Sequence, residues 1–161
     1  MKSRIFLASS MFVVVACLCV AGVAQSGHQV PFKGSIQGHE THTPQTFPEI
    51  TANGSCTGIA TLVGQLSFTY QDTINILAGT GTGVGQLIAA NGDSIYTTIV
   101  GSSEPTGTPG VRSITEIDTI TGGTGRFAGA QGSFIVERLV NQTGFTSGSF
   151  HGTITSPGAA N

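Results

Sequence analysis

The stretch Leu62-Val63-Gly64-Gln65-Leu66-Ser67-Phe68-Thr69-Tyr70-Gln71-Asp72-Thr73-Ile74-Asn75-Ile76-Leu77 decides the fold. Its even positions read Leu62, Gly64, Leu66, Phe68, Tyr70, Asp72, Ile74, Ile76; its odd positions read Val63, Gln65, Ser67, Thr69, Gln71, Thr73, Asn75. Successive side chains of a strand point to opposite faces. One face is therefore apolar and the other polar, the pattern of a half-buried antiparallel strand. The alternation predicts a strand over 62–77, and Asp72 is the one acid on its apolar face.

Working outward, the same period recurs and no segment beyond residue 26 holds a helical period. Upstream, Val30–His42 sets Phe32, Gly34 and Ile36 against Lys33, Ser35 and Gln37, and Glu49–Ala60 follows with a bend expected at Asn53-Gly54. Downstream, Thr80–Ala90 carries Gly79, Gly81, Gly83 and Gly85 on one face. Asn91-Gly92 predicts a type I′ hairpin turn into Ser94–Ser102. A loop over 104–110 leads to Val111–Thr121, and Ser133–Val140 and Phe145–Thr155 complete the set. Eight short strands with short turns suit a closed antiparallel barrel or a sandwich, and the glycine row favours the barrel because closure needs strong coiling. No second domain is expected: residues 27–161 form the barrel.

Residues 1–26 read as an export signal. Lys2 and Arg4 precede an apolar run, and Ala24-Gln25-Ser26 offers a cut after Ala24 or after Ser26. The run is near the lower length for a retained membrane span, and Val14-Val15-Ala16-Cys17 loosely resembles a lipoprotein signal, but the small-residue exit favours cleavage. The expected compartment is outside the cell or the periplasm. Only Cys56 then remains, so no intrachain disulfide forms and the core alone must hold the fold. Loss of Lys2 and Arg4 leaves four basic residues against eight acidic, a net charge of −4. That excludes a nucleic-acid footprint and argues against an anionic membrane surface. With 39% hydrophobic residues the chain is not of the disordered class.

The most distinctive segment is Ile120-Thr121-Gly122-Gly123-Thr124-Gly125-Arg126-Phe127-Ala128-Gly129-Ala130-Gln131-Gly132-Ser133-Phe134. Gly122, Gly123 and Gly125 allow positive φ in a tight turn, and Phe127 is placed to plug one end of the core. A phosphate loop would need a helix after it, and 133–140 alternates as a strand. The segment resembles the GGTG[KR]F…A.G segment of plant dirigent proteins and the related GG.G.F.GA.G segment of allene oxide cyclases. The chain also resembles uncharacterised secreted bacterial proteins of that superfamily, through Phe32-Lys33-Gly34, Ala89-Ala90-Asn91-Gly92-Asp93 and Ser147-Gly148-Ser149-Phe150-His151-Gly152-Thr153-Ile154. The resemblance implies an eight-stranded antiparallel barrel around a small-molecule cavity. It implies no catalytic residue at a given position.

Asp72, Glu116, Arg138 and Tyr70 are the candidate ligand-binding residues. An acid facing a core has its pKa raised by desolvation and can act as an acid or base; a bulge near Asp72 would instead return it to water. Arg112, Ile114, Glu116, Asp118 and Ile120 share a face, either lining a polar cavity with Arg112 or Arg138 paired to Glu116, or forming a solvent face. His39 and His42 of His39-Glu40-Thr41-His42 point to opposite faces of a strand, which argues against a metal site. No cofactor is expected. Asn53-Gly54-Ser55 and Asn141-Gln142-Thr143 match the glycosylation pattern. The expected role is a barrel that binds a small apolar ligand or a surface partner; the alternative is an isomerase, cyclase or dirigent-like enzyme steering a reactive molecule.

Overall fold

The computed structural model describes residues 27–155 and 157–158, so the expected signal segment lies outside the described residues. Eight strands run in chain order: β1 (Gln29–Pro44), β2 (Glu49–Ala60), β3 (Gly64–Asn75), β4 (Thr80–Ala89), β5 (Ser94–Pro105), β6 (Val111–Gly123), β7 (Gly132–Asn141) and β8 (Phe145–Thr155). Each pairs antiparallel with the next, and β1 pairs with β8, closing the barrel. Closure removes every sheet edge, which suits a chain with so few charges to guard one.

The opening stretch behaves as its alternation requires, with Leu66, Phe68, Tyr70 and Asp72 inward and Gln65, Thr69, Gln71 and Thr73 outward. Its first residues differ from expectation. Leu62 takes a positive φ of 70° in the β2–β3 turn, so Val63 rather than Leu62 is buried. At Asn53-Gly54 the β2–β3 register runs on unbroken; the irregularity lies between Tyr96 and Thr97 of β5. The β4–β5 turn is not type I′. Gly92 has φ 88°, Asn91 is not left-handed, and the bonds from the N–H of Gly92 to the Ala89 carbonyl and from that of Ala89 to the Asp93 carbonyl make a three-residue loop.

The interior divides along its axis. One end is solid. Phe32, Phe134 and Phe150 stack with centroids 5.0–5.4 Å apart, Ile154 and Val136 fill around them, and Phe127 closes the end. Phe127 is carried by a single 3-10 turn, Gly125–Phe127, the one helical element among the described residues. Gly122 and Gly125 have positive φ (147° and 56°). Gly123 does not, contrary to expectation; it is small because a Cβ there would meet the Ser94 carbonyl and Phe127. At the opposite end the interior turns polar, then opens.

Candidate functional site

The polar half of the interior is built from five strands. β1 supplies Glu40, β3 Tyr70 and Asp72, β5 Thr97, β6 Glu116 and Asp118, and β7 Arg138. All are buried, so the solvent-face reading of Glu116 and the bulge reading of Asp72 both fall. Arg138 is the hub. Its Nε and Nη2 donate to the two Glu116 oxygens at 3.1 and 2.8 Å, and its Nη1 donates to Glu40 Oε2 at 2.7 Å and Thr146 Oγ1 at 3.1 Å. A guanidinium fork fits such two-oxygen pairing. Tyr70 donates its hydroxyl to the same Glu40 Oε2 at 2.7 Å, and its ring lies 4.9 Å below the guanidinium carbon. His42 Nε2 meets Glu40 Oε1 at 2.8 Å.

Glycines make this packing possible. Glu40, Gly54 and Tyr70 stand in one row across β1, β2 and β3. A Cβ on Gly54 would strike the Tyr70 ring, so only a glycine there lets Tyr70 lie across β2 to reach Glu40. The glycine row of β4 serves Asp72 in the same way: Asp72 faces Gly83, whose Cβ would collide with the carboxylate.

The charges do not balance. One arginine faces two carboxylates it binds directly and two more it does not. Burial alone would raise the Glu40 carboxyl, but the Arg138 charge and the hydrogen bonds from Tyr70, Arg138 and His42 hold it below the ordinary value. Asp72 and Asp118 lack that support. Burial, reinforced by the Glu116 charge, pushes Asp72 up to about 7 and Asp118 up to about 8. Asp118 accepts one bond, from Thr97 Oγ1 at 3.1 Å, and one oxygen of each aspartate, Oδ1, has no partner among the described residues. Burial likewise pushes the Tyr70 hydroxyl up, and the Cys56 thiol up to about 11.

Above this layer lies a cavity of about 190 Å3, open at the end away from the phenylalanines. Its walls are Ile50, Ile74, Ile99, Ile114 and Val140; Asp72, Glu40 and Arg138 form its inner end, and His42, Ser103 and Arg112 line it too. Three of the four candidate ligand residues therefore meet in one network, Tyr70, Glu116 and Arg138. Asp72 is joined to it by charge and lines the cavity, whereas Tyr70 and Glu116 support from below. Arg138, not Arg112, pairs with Glu116. Glu40 escaped the sequence reading as a site residue, and Asp118, which that reading placed on the face that could line a polar cavity, is fully buried below the cavity. Glu40 shares the parity of Phe32 and Ile36, a signal masked by the neighbouring histidines; His39 instead lies on the outer face against Phe145.

No protein-family model matches the chain, and no curated protein does. Among solved structures, a pterocarpan synthase dirigent protein superposes with a TM-score of 0.57 at 14% identity, covering 96% of this chain and 99% of that one. The fold is that of a dirigent-like barrel. At this identity the likeness extends to the architecture alone, and the closed end, the polar layer and the cavity described above are this chain's own.

Proposed function

We propose that this protein is exported and that its barrel takes up a small, mainly apolar molecule in the open-end cavity without altering it. The observation that carries the reading is an isoleucine-walled cavity of about 190 Å3 whose inner end is formed by the polar side chains of Asp72, Glu40 and Arg138. Apolar walls with a few convergent polar groups are the usual make-up of a small-molecule site. At roughly 30 Å3 per water-sized group, the cavity takes about six non-hydrogen atoms. The Asp72 carboxyl at the inner end offers such a guest a hydrogen bond in a dry setting, where an unmade bond is costly. Kinship with allene oxide cyclases, resting on the 120–134 segment, belongs to this proposal and adds no residue to the site.

A second reading, proton transfer to or from a reactive guest, is favoured by one observation: Asp72, raised to about 7, is poised to give and take a proton near neutral pH. The cavity is below the several hundred Å3 typical of sites enclosing a substrate, which places binding first. The test is methyl NMR of the isoleucines during titration with pentan-1-ol. Shifts are expected at Ile74, Ile99 and Ile114, with Ile36 and Ile154 of the solid end as controls. Shifts spread evenly over all isoleucines, or none, overturn the proposal. Asp72-dependent exchange of the α-hydrogens of cyclopentanone in deuterated water would instead favour proton transfer.

A further inference from the structure

We propose that the molecule taken up is a short aliphatic carboxylate, held head-outward with its carboxylate on Arg112 at the cavity mouth and its hydrocarbon body among the isoleucines. This rests on the cavity being a binding site, and it assigns the guest's charge and direction.

Arg112 lies two residues before Ile114 on β6 and so shares the inward parity of Ile114, Glu116 and Asp118. It is the outermost of that inward series and remains exposed, while Ile114 behind it is buried. Its side chain is anchored: Nε donates to Ser103 Oγ and Nη2 to the Ser103 carbonyl at 2.7 Å. A guanidinium has five N–H donors, so three remain without a protein acceptor among the described residues. The Nη1 group and the second Nη2 hydrogen together form a fork that suits a carboxylate.

Arg112 also has no acidic partner among the described residues, where the ion pairs are His42–Glu40, Arg126–Asp93 and those of Arg138. Of the interior acids, Glu40 and Glu116 are committed to Arg138, and Asp72, at the inner end of the cavity, makes no ion pair with Arg112. Glu104, at the end of β5, stands on the outer parity. An anchored cation with an open fork, on the rim of an apolar cavity, fits an anion that carries an apolar body.

The interior charges set the direction. The single cation of the polar layer is outnumbered by Glu40 and Glu116, and four of its five N–H donors are engaged. A carboxylate pushed to the inner end would meet net negative charge and, besides a protonated Asp72, a single N–H of Arg138, against the three that Arg112 offers at the mouth. At the mouth it meets an unpaired cation. A guest ammonium faces the reverse: Arg112 repels it on entry.

The test compares pentanoate, pentan-1-ol and pentylamine, all of one chain length, on the wild-type mature protein and on Arg112→Gln and Arg112→Lys. Binding is read from the methyl shifts of Ile99 and Ile114 at pH 7, where pentanoate is ionised. Pentanoate should bind about tenfold more tightly than pentan-1-ol, the worth of one charge-assisted pair. Arg112→Gln should bring pentanoate down to the affinity that pentan-1-ol has for the same variant, and Arg112→Lys should keep part of the preference. Equal binding of pentanoate and pentan-1-ol, a preference that survives Arg112→Gln, or pentylamine binding most tightly overturns the proposal while leaving the cavity as a neutral-ligand site. If no probe moves either methyl, the cavity reading itself fails.

Discussion

Replacing Asp72 by Asn should stabilise the protein at neutral and alkaline pH and do so progressively less as pH falls. Asp72 has the ordinary value of 3.8 in the unfolded chain and about 7 in the folded one, because burial and the Glu116 charge disfavour its anion. Between those values the folded state binds a proton that the unfolded state has released, so stability declines as pH rises. The stabilising protonated form is fully present below pH 3.8, and the loss is complete once pH exceeds the folded value. Each pKa unit is worth about 1.4 kcal/mol, so the loss across this window is about 4 kcal/mol. Asn resembles the protonated acid in shape and cannot ionise, so it escapes that loss. Its two N–H groups add a penalty of about 1–3 kcal/mol if they find no acceptor, but that penalty is the same at every pH. The prediction therefore concerns slope. Urea unfolding of both proteins at pH 4, 5.5, 7 and 8.5 should show the midpoint difference moving in favour of Asp72→Asn as pH rises, levelling above pH 7. A difference that is constant with pH would place Asp72 in contact with water and refute the reasoning.

Two further outcomes follow from the same layer and its closed end. Arg138→Met strands Glu40 and Glu116 in the interior and should cost about 3–5 kcal/mol at pH 7, measured by urea unfolding, and Arg138→Lys should recover little because the fork is lost. Gly125→Val should cost about 1–3 kcal/mol, since Gly125 has φ 56° and a Cβ there would collide with Asp93; an unchanged urea midpoint would show that the turn holding Phe127 is not constrained.

The architecture was legible because a strand writes its two faces into the sequence one residue at a time. Phe32 and Ile36 and Leu66 through Asp72 turn inward as their apolar faces require, and on β6 the structure resolves the open choice by turning Ile114 through Ile120 inward. The final strand, Phe145–Thr155, has the expected bounds. The misses lie where local chemistry, not parity, decides: the β4–β5 turn, the start of β3 at Leu62-Val63, and the ordinary φ of Gly123. In each, one or two backbone angles depend on which carbonyl lies across the turn.

From alternation alone come the eight strands and the glycine row on one face of β4, with Asp72, Glu116 and Arg138 as candidates for the interior against a bulge at Asp72 and a solvent face on β6; their burial is read from the closed barrel. Only the tertiary structure decided which partners those charges take. Arg138 reaches Glu40 across 98 residues of chain, because closure sets β7 two strands from β1 and the intervening Gly148 leaves no side chain in the way. Tyr70 reaches Glu40 over Gly54 for the same reason. Parity says which face a residue occupies, and register says how far along the barrel it sits. Register comes from all eight pairings at once, so the pairing of Glu116 with Arg138 rather than with Arg112, and the open fork that this leaves on Arg112, exist only in the closed barrel.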